Sequence, residues 1–146
     1  MPTWVKVLLG IGCGLAVLLI AFGVGIFYYV NGHKDQWVAE GKKIHDEAAA
    51  YAASKTGSDC VDESIRRLSS CSGIVCEVRT RVFLNACLEA AAESPQLCDG
   101  VPPRTELIQT ARWSLGECAR RGMQSSQPCS RLMQELQKHC DRKLHR

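Results

Sequence analysis

"CVDESIRRLSSCSGIVCEVRTRVFLNAC" (residues 60–87) carries cysteines at 60, 71, 76 and 87, and their spacing decides the fold. Within each arm, Cys60 to Cys71 and Cys76 to Cys87, the interval is eleven residues. Eleven helical steps end about 20° from the starting direction and about 16.5 Å further along the axis. The two cysteines of an arm therefore share one helix face. Ser72-Gly73 interrupts the run between the arms, as a turn requires. Two antiparallel helices joined there set Cys71 against Cys76 at the turn and Cys60 against Cys87 at the open end.

The eleven-residue interval recurs between Cys87 and Cys98, Cys118 and Cys129, and Cys129 and Cys140. On one helix, Cys129, Leu132, Met133, Leu136 and Cys140 form a stripe with steps of three and four, the period of a buried helical face. On the helix before it, Leu107, Ala111, Leu115 and Cys118 read the same way, so all four are expected inside. A second hairpin then places Cys118 and Cys129 at its turn. Leu107 takes the position opposite Cys140, which leaves Cys98 as the partner of Cys140. The expected bridges are 60–87, 71–76, 98–140 and 118–129, one choice among the 105 connectivities open to eight cysteines.

The arms "CVDESIRRLSSC" and "CEVRTRVFLNAC" resemble the twin CX9C hairpins of the coiled-coil-helix-coiled-coil-helix proteins of the mitochondrial intermembrane space. The resemblance covers residues 60–87. It departs from that pattern in having ten residues between cysteines, an apolar N-terminal segment and a further four-cysteine segment. It implies similar stapling, and a structural or assembly role with no catalytic centre.

Around these arms the sequence reads as helix throughout. Residues 34–57, "KDQWVAEGKKIHDEAAAYAASKTG", are rich in Ala, Lys and Glu, good helix formers. They are expected to stop at Gly57 and either to form a stalk or to pack on the cysteine-rich part. Ser58 and Asp59 offer cap chemistry for a helix from about Cys60 to Cys71, followed by one from about Val75 to Glu93. Ser94-Pro95 opens a short turn ending at "CDGVPP". A third helix is expected from a Thr105 cap to Gly122, and a fourth from about Pro128 to Arg142. No alternating run is long enough for a sheet.

Val7 to Val30 contains no charged residue. As a helix it would measure about 36 Å, enough to cross a hydrocarbon layer of about 30 Å. Trp4 at one edge and Phe27, Tyr28 and Tyr29 at the other suit the two interfaces. A cleavable signal peptide competes with this reading. Ala21-Phe22-Gly23 offers a small-x-small site, but the apolar run continues past it and Lys6 is the only basic side chain before it. We expect an uncleaved anchor. Gly10, Gly14, Ala21 and Gly25 share one stripe of it, the small-residue pattern that lets two membrane helices approach. A homodimer through this helix is therefore a candidate.

Topology draws two opposed signals. Lys34, Lys42 and Lys43 after the anchor mildly favour a cytoplasmic C-terminal part. Eight cysteines after the anchor, in a small domain, favour an oxidising compartment, and we give these more weight. The periplasm or its equivalent is expected. The formal net charge is only +3, too balanced to suggest nucleic acid. Residues 31–100 carry a net charge of −3 and residues 101–146 of +5. A basic end can favour an acidic partner or a lipid surface, but Arg120, Arg121, Arg131, Lys138 and Arg142 are expected simply as solvated helix faces.

No catalytic motif emerges. Structural zinc calls for repeated close cysteine pairs, and only Cys71 and Cys76 come near that spacing. A thiol oxidoreductase calls for C-x-x-C at a helix start, and His33, His45, His139 and His145 share no ligand spacing. Neither a cofactor nor a metal is expected, and no nucleic-acid partner. The expected organisation is all-α: a tail at 1–6, a transmembrane anchor at 7–30, a juxtamembrane helix or stalk at 31–57, and a cysteine-rich bundle of about four helices, as two hairpins, at 58–146. Its expected role is non-enzymatic, a scaffold contacting a protein partner not named by any motif. A lipid-binding, saposin-like helical module is the alternative, and a thiol-disulfide redox protein a more distant one.

Overall fold

The computed structural model describes residues 3–92 and 94–144, with the side chains of residues 3, 5–11, 13, 95 and 144 outside the description. Five α-helices make up the described chain: α1 Thr3–Ala52, α2 Gly57–Ser69, α3 Ile74–Ala90, α4 Leu107–Arg120 and α5 Gln127–Leu144. A 3₁₀ turn, Pro95–Cys98, lies between α3 and α4. There is no strand among the described residues, only a single bridge between Thr56 and Ala92. The chain divides into two compact units, Met1–Glu40 and Gly41–Arg146.

In the first unit, α1 is the one helix among the described residues long and apolar enough to cross a membrane. Leu15, Val17, Leu18, Leu19, Ile20, Phe22, Phe27 and Val30 are all exposed. A helix apolar on every side has no water-facing surface. At the end of the run, Tyr29 stacks on His33 with ring centroids 4.5 Å apart.

The second unit begins with the last turns of α1, whose Ala48 and Ala52 are buried while Ile44 and Tyr51 pack on the same core. The helix ends at Ala52 and not at Gly57. Gly57 opens α2, and the cap is Thr56 in place of Ser58 or Asp59. The backbone N–H of Thr56 donates to Asp59 Oδ2 at 2.8 Å, and Asp59 N–H donates to Thr56 Oγ1 at 3.4 Å. This reciprocal box satisfies two amides that a helix start otherwise leaves open. Gly57 is needed there for space as well. A Cβ on it would lie 2.5 Å from Leu97 Cδ2, and its N–H donates to Ser94 Oγ at 3.3 Å. The 3₁₀ turn is thereby seated on the start of α2.

From Thr56 the chain runs as two helical hairpins. α2 and α3 turn at Ser70–Gly73, with Gly73 at φ +90°, a conformation glycine adopts without strain. α4 and α5 turn after Gly122 (φ +76°), where Met123 N–H donates to Cys118 O at 2.8 Å and Gly122 N–H to Ala119 O at 3.1 Å. These bonds close the end of α4 in the Schellman manner. α5 packs between the others. Cys129, Leu132, Met133, Leu136 and Cys140 are buried along it, against Val61 of α2 and Phe83 and Leu84 of α3. Arg131 pairs with Glu77 at 3.5 Å and Arg142 with Glu89 at 3.6 Å, so α5 runs parallel to α3.

α4 departs from the expected orientation. Leu107 and Leu115, read as inward, are 78% and 49% exposed, and Ala111 is exposed too. Cys118 is buried as expected, but its buried neighbour is Ser114, with Trp113 partly covered. The rotation has a polar cause. Gln137 of α5 is buried, and its Nε2 donates to Pro102 O and to Thr110 Oγ1, both at 2.8 Å. A buried amide left without partners is costly, so α4 turns its Thr110 and Ser114 side inward.

Candidate functional site

Four cystines frame the second unit. Cys60–Cys87 closes the open end of the first hairpin, with Cα atoms 5.8 Å apart, and Cys71–Cys76 spans its turn at 5.6 Å. Cys118–Cys129 flanks the turn of the second hairpin at 5.9 Å. Cys98–Cys140 joins the 3₁₀ turn to the end of α5 at 5.4 Å. All four spacings fall where a disulfide is geometrically at ease. Cys60, Cys87, Cys118, Cys129 and Cys140 are 1% exposed or less, so these sulfurs are core atoms.

A Cβ at Gly14 or Gly25 would find nothing within 4 Å, and Ala21 is exposed. The side chain position of Gly10 lies outside the described residues.

Charged side chains knit the helices at their edges. Glu63 accepts from Arg66 Nε at 2.8 Å and from Arg67 Nε at 2.8 Å. The hydrogen bond from Arg66 holds its carboxyl down at about 2, with Arg67 adding to the effect against the opposing cost of burial. Arg67 reaches on to Glu47 at 2.8 Å. On α5, burial works against the charge of Glu135. Lys138 and Asn85, donating at 3.0 and 3.3 Å, outweigh it, so this carboxyl also sits below its ordinary range.

A shallow cleft of about 150 Å³ is lined by Leu88, Glu89, His139, Arg142 and Lys143. Burial, followed by the nearby Arg142 and Lys143, pushes the His139 imidazole below its usual pKa. The two cations occupy the last turn of α5, where they offset the negative end of the helix dipole. Among the described residues, no three of His, Cys, Asp or Glu come together as a metal-binding group.

Two outward faces escaped the reading of the sequence. On α3, Ile74, Val75, Val78 and Val82 are exposed while Phe83, Leu84, Ala86 and Leu88 are buried, so this helix is apolar on both sides. On α4, Ile108, Ala111, Leu115 and Ala119 form an outward stripe with steps of three, four and four. The signal for α3 was available in Ile74, Val75, Val78 and Val82, which recur beside the polar stripe Glu77, Arg81, Asn85 and Glu89 and away from Phe83 and Leu84. For α4 it lay in Gln137, whose need for partners sets the helix rotation.

Comparison with family models, curated proteins and solved structures gives no match to this chain. What is shown is a disulfide-rich helical protein with one candidate membrane-crossing helix.

Proposed function

We propose that residues 7–30 remain as an uncleaved signal-anchor, and that the cystine-framed helices stand outside the cytoplasm as a non-catalytic contact module for a protein partner. The observation that carries this reading is the cystine frame itself. All eight cysteines after the anchor are paired, and such pairing persists in oxidising compartments. Cleavage after Gly23 would leave the apolar residues Val24 to Val30 at the new N-terminus, which supports retention of the whole segment. The frame holds rigid a helix, α3, whose outer face presents four branched aliphatic side chains, a surface of the kind protein contacts cover.

The test has two parts. Intact mass and thiol alkylation of protein from native membranes reports whether residues 7–30 are retained and whether only Cys13 is free. A photo-crosslinking residue at Val78 then reports the contact. A discrete crosslinked protein, lost when Val82 is changed to Glu, supports the proposal. A truncated chain, or several reactive thiols after Cys13, defeats the topology. Absence of any crosslink from Val78 defeats the contact role of α3.

A further inference from the structure

The outer face of α4 reverses the usual polarity of a surface helix. Ile108, Ala111, Leu115 and Ala119 point to solvent, with Gly116 beside them meeting nothing within 4 Å. Thr110, Ser114, Glu117 and Arg121 lie on the inner or partly covered side. Amphipathic helices normally bury the apolar stripe and expose the polar one. The Cys118–Cys129 bridge and the Gln137–Thr110 hydrogen bond at 2.8 Å hold α4 in this reversed setting.

The charges beside the stripe are mainly positive. Arg112 is exposed next to it, with Arg104 and Arg120 exposed towards the two ends. Arg120 is paired with Glu117, and Arg104 lies 4.0 Å from Asp141. Glu106, at the N-cap, is the exposed acid of this helix, while Glu117 is turned inward at 16% side-chain exposure. The apolar side chains stand at the crest of the helix. Arg112 lies beside them, about 40° round from Ile108, with Arg120 further round on the same side and Arg104 just ahead of the helix. Such a ridge needs no complementary groove when the opposing surface is soft. An apolar ridge flanked by cations is how helices lie in a membrane interface, apolar groups among the acyl chains and basic groups at anionic headgroups.

A second copy of α4 fits this charge pattern poorly. Arg112 lies close to the midpoint of Leu107–Arg120, so an antiparallel pair would bring the two Arg112 side chains together. A parallel pair would align Arg112 and Arg120 with their own copies. Both arrangements oppose like charges.

We infer that the Ile108–Ala111–Leu115–Ala119 face of α4 docks on an anionic lipid surface, with Arg104, Arg112 and Arg120 at the headgroups. The inference draws on the reading of residues 7–30 as a membrane span, since a tethered domain meets the bilayer at high effective concentration.

The experiment uses the full chain in lipid nanodiscs with labelled isoleucine methyl groups and an acyl-chain spin label as the probe. Discs of phosphatidylcholine alone are compared with discs containing phosphatidylglycerol. Ile108 on α4 reports docking, Ile74 on the exposed face of α3 is the surface control, and buried Ile65 is the core control. Several-fold greater broadening of Ile108 than of Ile74 is expected in the anionic discs, reversed by high salt and by R112E/R120E. Equal broadening of Ile74 and Ile108, no broadening of Ile108, or broadening that depends on protein concentration without the spin label would each overturn the inference. Incorporation into the discs and protease protection of residues 7–30 are scored separately. Failure of the span is thus distinguished from failure of the α4 contact.

Discussion

The guanidinium carbon of Arg67 lies 3.7 Å from the centroid of the Phe83 ring. Phe83 is 1% exposed, and Tyr51 of α1 meets its ring edge-on at 5.9 Å. Arg67 also holds Glu63 on its own helix and Glu47 on α1, each at 2.8 Å. One side chain thus joins α1, α2 and α3. Arg67→Met keeps the aliphatic stem over the ring and removes the charge. It should lower stability by about 1–2 kcal/mol, in the range of a partly desolvated cation–π contact with ion pairs. Arg66→Met, on a side chain 72% exposed, gives up only its bonds to Glu63 and should lower the urea midpoint by less than Arg67→Met. Equal losses from the two variants would show that the Phe83 contact contributes nothing.

Acid should weaken the fold in two separate windows. His139 has a lowered folded pKa because it is buried. The unfolded chain therefore takes up that proton first, and stability falls as pH drops below the ordinary 6.5 of histidine. Glu63 is held at about 2 against an ordinary 4.5. Its contribution is complete above 4.5 and is lost between 4.5 and 2. Urea unfolding at about pH 7.5, 5.5 and 3.5 separates the two. His139→Gln should flatten the upper step alone, and Glu63→Gln should shrink the lower step, to which Glu135 also contributes, without moving the upper one.

The four cystines should differ in worth according to the chain they close. Sequence separations of 42, 27, 11 and 5 belong to Cys98–Cys140, Cys60–Cys87, Cys118–Cys129 and Cys71–Cys76. Loop-closure entropy then ranks them at about 4, 3.6, 2.8 and 2 kcal/mol. Paired Cys→Ala variants, followed by thermal unfolding, should reproduce that order. The Cys98–Cys140 variant should suffer most, since it also frees the 3₁₀ turn from α5. A Cys71–Cys76 variant less stable than the Cys98–Cys140 variant would show that local packing at the turn outweighs chain entropy.

The helical hairpins were legible because an eleven-residue interval nearly equals three helical turns, so cysteine positions report helix faces without reference to any other side chain. Ser94-Pro95 likewise marked where Cys98 leaves α3. Helix ends were less legible. Thr56 and Asp59 satisfy the capping-box spacing, yet Gly57 between them resembles a stop signal, and only its close approach to Leu97 explains a glycine inside the box. The α4 rotation was not legible from hydrophobic period. Leu107, Ala111, Leu115 and Cys118 obey the period, but Cys118 also borders the Thr110–Ser114 face, and the demand of buried Gln137 decides between them. A polar residue on one helix set the orientation of another, and pattern reading within a single helix does not contain that information.

Gln137 should accordingly be a costly position to change. It is 3% exposed and satisfies both the Pro102 carbonyl and the Thr110 hydroxyl. Gln137→Leu is close in size but strands both acceptors, for a loss of about 1–3 kcal/mol. Thr110→Val removes one acceptor and leaves the amide its bond to Pro102, so its cost should be smaller. If Gln137→Leu matches the wild-type melting temperature, the two hydrogen bonds do not orient α4.

The reversed face of α4 makes a prediction opposite to ordinary hydropathy. Leu115→Ser places a polar side chain where the native leucine already meets water at 49% exposure. It should change stability by less than about 0.5 kcal/mol. Ser114→Leu adds an apolar side chain one residue away, at a site 3% exposed, where Ser114 Oγ donates to Ala111 O at 3.1 Å. The added volume has no space beside Cys118 and α5, and overpacking of this kind costs about 1–3 kcal/mol. A helix buried through Leu107, Ala111 and Leu115 would give the reverse order, with Leu115→Ser the damaging change. Melting temperatures of the two variants, measured with all four cystines intact, therefore decide which side of α4 faces the core.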